Sequence, residues 1–166
     1  MKILIVSQYF WPENFRVNDL AVALKERGHE VTVLTGVPNY PVGQAFEGYS
    51  WWKKRRDNMD GVAIVRAPLF LRRASKSWQL AVNYISFAIS ASLCGAWALR
   101  KNDFDAIFTY EVSPVTVAYP AMLMRNLKKA PMLFWVQDLW PESLAATGAI
   151  KSTKILSVVK RMVKYI

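Results

Sequence analysis

One cysteine and one histidine are the whole supply of thiol and imidazole in 166 residues. Cys94 permits no internal disulfide and lies in an apolar run, which reads as core packing. His29 falls in Arg27-Gly28-His29-Glu30, a turn that opens a strand, so the side chains for a His/Cys metal cluster are missing and no metal is expected. Glycine is scarce where a nucleotide would need it. The segment Ser7-Gln8-Tyr9-Phe10-Trp11-Pro12-Glu13-Asn14, which leaves the first apolar run, contains none. That excludes the glycine-rich fingerprint by which nicotinamide and flavin enzymes bring a pyrophosphate against the backbone. There is no Gly-x-x-x-x-Gly-Lys-Ser/Thr loop, no Gly-x-Ser-x-Gly and no His-Glu-x-x-His, which removes three further enzyme classes. No leader is expected, because only Ile3-Leu4-Ile5-Val6 separates Lys2 from polar Ser7 and Gln8, too short a core for a signal peptide. The chain is therefore expected in the cytoplasm.

Acids are also in short supply, 12 Asp+Glu against 22 Lys+Arg, a net charge of +10. Such an excess attracts polyanions, whether nucleic acid, anionic lipid or phosphorylated substrates. Hydrophobic residues reach 53%, far too apolar for disorder and enough for one domain with a real core. The basic clusters Lys53-Lys54-Arg55-Arg56, Arg72-Arg73 with Lys76, and Arg100-Lys101 each adjoin Trp, Leu or Tyr. Basic and apolar residues interleaved in this way suit a membrane-facing side better than a nucleic-acid groove.

The first thirty-six residues set the architecture. Ile3-Leu4-Ile5-Val6 has no polar alternation, as in a parallel strand covered on both faces. Val17, Leu20, Ala21 and Leu24 then share one helical face, and Gly28 stops the helix before Val31-Thr32-Val33-Leu34 resumes the strand pattern. A strand, helix and parallel strand form a right-handed crossover unit, so the fold class is α/β, a Rossmann-like doubly wound parallel sheet. Further strands are predicted at Val62 to Val65, Phe104 to Phe108 and Met132 to Val136, the last one buried. Gly36 to Gly61 has no period and reads as a long functional loop. Within it Trp51-Trp52 reads either as an interfacial anchor or as a small satellite core. Ser113-Pro114 is expected to cap a helix, and a basic amphipathic helix should begin near Ser152.

Ser77 to Leu99 carries no charge and is long enough to span a bilayer. Both flanks are basic, however, and spanning would part the strand near Asp105 from its partner at the N-terminus. The segment is expected to lie against the sheet on one side and in the membrane interface on the other, and an ordinary core helix without lipid contact fits the same pattern.

Ligands of open α/β sheets bind outside the C-terminal ends of the strands. The loops that leave those ends carry Glu13, Glu111, Asp138 and Glu142, four of the 12 acids. Carboxylates there can accept hydrogen bonds from sugar hydroxyls, and one can serve as a general base. Asp138 is the first candidate, since it follows a strand directly and is hemmed in by Trp135, Trp140 and Pro141, where desolvation would raise its pKa. A capping or turn aspartate fits the same position, and Glu13 and Glu142 also suit a helix N-terminus.

Several segments together resemble the N-terminal domain of family 4 glycosyltransferases with the GT-B fold. They are Lys2-Ile3-Leu4-Ile5-Val6 with its Tyr9-Phe10-Trp11-Pro12-Glu13 exit, Leu24 to Gly36, Pro38-Asn39-Tyr40-Pro41-Val42-Gly43, and Val136-Gln137-Asp138-Leu139-Trp140-Pro141-Glu142. The Asn-Tyr-Pro and Gln-Asp-Leu-Trp-Pro-Glu segments are the narrower ones and resemble bacterial fucosamine-type transferases of O-antigen and colanic-acid assembly. The resemblance implies that residues 1–166 form the acceptor-binding half of a GT-B fold. The nucleotide-sugar donor, the Glu-x7-Glu motif and the diphosphate-binding Arg/Lys pair would belong to a C-terminal domain beyond Ile166, so this half alone is expected to be inactive and to need no cofactor of its own. Trp11-Pro12-Glu13 stands where many members have Gly-Gly, and Gln137 where many have His, which leaves open the group that assists the acceptor hydroxyl.

The expected activity is transfer of an amino-deoxy-hexose, N-acetyl-L-fucosamine from a UDP donor, to a lipid-diphosphate-linked saccharide at the inner face of the cytoplasmic membrane. Asp138 is the expected catalytic residue, with Trp11, Glu13, Asn14, Asn39, Tyr40, Glu111, Gln137 and Glu142 binding substrate. Trp51, Trp52, Lys53, Lys54, Arg55, Arg56, Arg72, Arg73 and Trp78 are expected to touch anionic lipid, and no nucleic acid is expected as partner. The rival reading is a non-catalytic membrane-surface or nucleic-acid-binding α/β module, for which the charge alone suffices.

Overall fold

The computed structural model describes residues 1–72, 77–146, 148 and 152–166. Arg73, one of the basic residues assigned to lipid, lies outside the described residues. The strands are β1 (Lys2–Val6), β2 (Glu30–Gly36), β3 (Arg56–Met59), β4 (Val62–Ala67), β5 (Ala106–Glu111) and β6 (Met132–Val136). They form one sheet in the order β3-β4-β2-β1-β5-β6. Every pairing is parallel except that of β3 with β4.

β1 sits at the centre, with Val6 opposite Leu34 on one side and Thr109 on the other. Its unbroken apolar run follows from burial of both faces. Leu4 and Val6 pack with Leu34, Phe87, Ile107 and Met124, whereas Ile3 and Ile5 pack with Val17, Ala21, Val31 and Val33 on the other face. Burial of each such side chain stabilises the fold by about 1.5–3 kcal/mol.

The helix after β1 is α1 (Arg16–Glu26). It ends in a Schellman turn, with Gly28 at φ +83° donating to the Lys25 carbonyl and His29 donating to that of Leu24. The long uncharged segment forms α2 (Ser77–Ala98), and Gln79, Asn83, Phe87, Ala91 and Gly95 face inward. A Cβ on Gly95 would lie 2.6 Å from Leu34 Cδ2, so glycine is what lets this helix approach β2 so closely. The other face carries Trp78, Val82, Ile85, Ile89, Leu93 and Trp97, all exposed. The strands before and after α2 belong to one sheet, so the helix packs on that sheet and does not part it.

Three expectations need correction. Gly36 to Gly61 is not all loop, because Arg56–Met59 pairs antiparallel with β4 as a polar edge strand. β6 is not buried: Leu133, Trp135 and Val136 are exposed, since the sheet ends there and no helix covers that side completely. Ser113-Pro114 does not cap the next helix directly. A 3-10 turn at Val115–Val117 intervenes before α3 (Ala118–Lys128), and no side-chain cap bond is made. The chain continues with α4 (Glu142–Ala146) and the basic amphipathic α5 (Thr153–Tyr165), of whose apolar residues Val159 is buried.

Candidate functional site

The loops that leave β1, β2, β5 and β6 converge along the C-terminal edge of the sheet, and buried carboxylates tie them in pairs. Glu13, 3% exposed, accepts the backbone N–H groups of Asn39 (2.8 Å), Tyr40 (2.7 Å) and Phe10 (3.2 Å). It binds the β1 exit to the Asn-Tyr-Pro loop after β2. Asn18 of α1 supports the same exit, accepting from the Trp11 N–H and donating to the Glu13 carbonyl. Asn39 is 1% exposed and spends its amide on Val37 (2.9 Å) and Asn83. Both residues were expected to face substrate, and both instead build the rim from within.

Glu111 repeats this device at the β5 and β6 exits. Fully buried, it accepts the N–H groups of Asp138 (3.1 Å) and Gln137 (3.3 Å) on Oε2, and its Oε1 has no partner among the described residues. Desolvation pushes both Glu13 and Glu111 up to about 7, against the backbone donors that lower them. The strongly perturbed acids are thus the inner pair. Asp138 itself is half-buried, and its Oδ2 accepts the Trp140 indole N–H at 3.0 Å. Two fixed bonds, one on its backbone and one on its side chain, aim a carboxylate at the edge where ligands of this architecture bind.

The α2 helix completes the site, a contribution the sequence reading missed. Tyr84 hydrogen-bonds Ser113 and Tyr9, feels the charges of Arg72 and Asp138, and packs its ring 6.2 Å from that of Trp140. Burial pushes the phenols of Tyr9 and Tyr84 up, so both remain protonated hydroxyls. The preceding Asn83 accepts from Gln8 (2.8 Å) and donates to the Phe70 carbonyl (2.6 Å). Asn39 and Asp138 are in this way linked through neighbouring residues of one helix turn. Only the polar residues Asn83 and Tyr84 within an uncharged segment could have signalled this.

Among the remaining candidates, Tyr40 is exposed and stacks its edge against Tyr9 and Phe15, at 5.5 and 5.3 Å. Trp11 is half-buried, Asn14 and Gln137 are exposed on the rim loops, and Glu142 is exposed at the start of α4. The peptide bonds before Pro12, Pro41, Pro114 and Pro141, one in each exit loop, are cis. Among the described residues no three His, Cys, Asp or Glu side chains group as a metal site. Trp52 and Trp78 are exposed, Trp51 is half in and donates to the Leu69 carbonyl at 2.9 Å, and the exposed Lys53, Lys54, Arg55 and Arg56 follow Trp52 in the chain. Arg55 reaches Cys94 Sγ of α2 at 3.1 Å, which sets part of this basic cluster beside the exposed apolar stripe.

The chain resembles known proteins in sequence and in fold. Residues 14–161 match the family described as "Glycosyl transferase 4-like domain". The "Putative colanic acid biosynthesis glycosyl transferase WcaI" of Escherichia coli is 30% identical over 154 residues, which cover 89% of this chain and 37% of that protein. The crystal structure of CalG4, the calicheamicin glycosyltransferase, superposes with a TM-score of 0.58 at 15% identity, over 99% of this chain and 42% of that one. The chain thus spans less than half of either relative, and at this identity the second likeness establishes the fold alone, a Rossmann-like half of a GT-B fold. By the match over most of its length, the chain belongs to the glycosyl transferase 4-like domain family.

Proposed function

We propose that this domain is the acceptor-binding half of a glycosyltransferase that works at the inner face of the cytoplasmic membrane. It transfers an amino-deoxy-hexose, N-acetyl-L-fucosamine from its UDP donor, to a lipid-diphosphate-linked saccharide in exopolysaccharide or O-antigen assembly. A second α/β domain supplies the nucleotide-sugar. Asp138 accepts the proton of the acceptor hydroxyl as its oxygen bonds to the anomeric carbon and the bond from that carbon to UDP breaks, UDP leaving with the electron pair, and Tyr84 and Gln137 orient the acceptor ring. The observation that carries the reading is the doubly fixed Asp138 beside Trp140 and Tyr84, on a domain of this family. The colanic-acid role in the relative's name supports the glycan class. Membrane attachment is supported by the exposed stripe from Trp78 to Trp97 on α2, with Arg100 over the Trp97 ring at 4.7 Å and the Lys53 to Arg56 cluster alongside.

The reading frame beyond Ile166 and a flotation assay test this. A second α/β domain carrying Glu-x7-Glu, and chain that floats with anionic liposomes without shifting nucleic acid in a gel, are the expected results. A stop codon directly after Ile166, or retention of nucleic acid with no flotation, would favour a binding module instead.

A further inference from the structure

A cleft of about 710 Å³ opens beside the rim, between the loop after β2 and the start of α2. Trp51, Phe70, Leu71 and Trp78 line it, Gln44 and Gln79 supply amides, and among the described lining residues Arg72 is the cation. Phe70 and Trp78 face each other at 6.3 Å, and both Trp51 and Trp78 remain open to solvent. The size falls within the roughly 300–1,000 Å³ of small-ligand sites.

Arg72 is built into this cleft. Its Nη2 donates to the Pro41 carbonyl at 2.9 Å, while its buried Nε has no partner among the described residues. The side chain lies flat on Gly43, where a Cβ would come 2.7 Å from Arg72 Cβ and 2.9 Å from Nε. Gly43 has φ +85°, a left-handed conformation in which glycine is unstrained. The Pro38 to Gly43 loop therefore acts as a seat for one guanidinium. The charge of Arg72 is felt at the hydroxyls of both Tyr9 and Tyr84, and Tyr84 in turn neighbours Asp138. A cation at the inner end of an aromatic trough selects a ligand with an anionic head and an apolar tail. The planar guanidinium fork matches phosphate oxygens in particular.

We propose that this cleft binds a diphosphate ester of an apolar chain, with Arg72 on the phosphate oxygens and Trp51, Phe70 and Trp78 against the first carbons of the chain. A sugar on the far side of the diphosphate then reaches Tyr84 and Asp138. The inference rests on the reading of that rim as an acceptor site, and it adds where the carrier lies and which residue selects it.

Calorimetric titration of the chain with farnesyl diphosphate, inorganic pyrophosphate, farnesol and phosphatidylglycerol vesicles tests it. Farnesyl diphosphate should bind tightest, and Arg72→Gln should weaken it by about tenfold or more, the cost of a lost charge-assisted hydrogen bond. Trp78→Ala changes an exposed residue and leaves folding intact, so it should weaken farnesyl diphosphate while leaving pyrophosphate unchanged. Equal binding of pyrophosphate and farnesyl diphosphate, an unaffected Trp78→Ala, or a response to vesicles alone would each overturn the proposal. Transfer by the complete enzyme distinguishes the two readings. Binding without any transfer sinks the transferase and leaves the cleft; transfer without binding sinks the cleft alone.

Discussion

Glu13 and Glu111 set the behaviour of the rim at the scale of single residues. Each is buried, each joins two loops through backbone N–H groups, and desolvation raises each from 4.5 to about 7. A carboxyl whose folded pKa is raised gives stability that is full below its unfolded pKa and is lost as pH rises through the folded one. Chemical denaturation of the chain should therefore show stability falling as pH rises from about 4.5 through 7. Glu111→Gln keeps a carbonyl oxygen for Gln137 and Asp138 but cannot ionise, so it should flatten that decline; an unchanged slope would remove Glu111 from it. Glu13→Ala strands three donors and should cost about 2–4 kcal/mol, read from the denaturation midpoint. Sequence reasoning found all four rim acids by their place after strands, and their division of labour was hidden. Which carboxylate turns inward depends on where Asn39, Tyr40, Gln137 and Asp138 present their N–H groups, a matter of loop geometry that residue identity does not encode.

Arg66 shows what one side chain does between elements. It is 1% exposed on β4, yet its guanidinium donates to the Trp11 carbonyl at 2.7 Å, pairs with Asp57 of β3 at 3.5 Å and lies 4.9 Å from the centre of the Tyr49 ring. It joins the edge strand, the β1 exit and the long loop. Arg66→Ala should lower stability by about 2–4 kcal/mol in a denaturant titration, because a buried side chain is removed and the Trp11 carbonyl loses its donor, while Asp57 keeps the Tyr49 hydroxyl at 3.2 Å. The central strands were legible because burial on both faces demands unbroken apolar runs, and α1 because its stripe and Gly28 mark face and end. β3 was hidden for the opposite reason: Arg56-Asp57-Asn58-Met59 is a polar edge strand specified by β4 and the turn at Gly61. β6 carries the apolar composition of a covered strand at an edge that stays open. On α2, Ile89→Glu with Leu93→Glu charges the exposed face. Flotation with anionic liposomes should drop several-fold while the melting temperature stays within about 2 °C, as for surface substitutions. Equal flotation would remove α2 from the lipid contact.

Across the whole molecule, one sheet gathers residues as distant in sequence as Tyr9, Tyr84 and Asp138 to one rim, and beside it turns an apolar helix face and a basic cluster outward. The α/β class could be read from periodicity, and the exposed basic clusters from composition. The parts supplied by α2, and the seating of Arg72 on Gly43, could not, because they arise from crossings between segments with no local signature. In the proposed reaction Asp138 is the base that deprotonates the acceptor. Sugar transfer by the complete enzyme carrying Asp138→Asn, measured with donor binding on the same protein, tests this most directly. A fall in kcat of about a hundredfold or more with donor affinity unchanged is the predicted result, and turnover at the wild-type rate would contradict it.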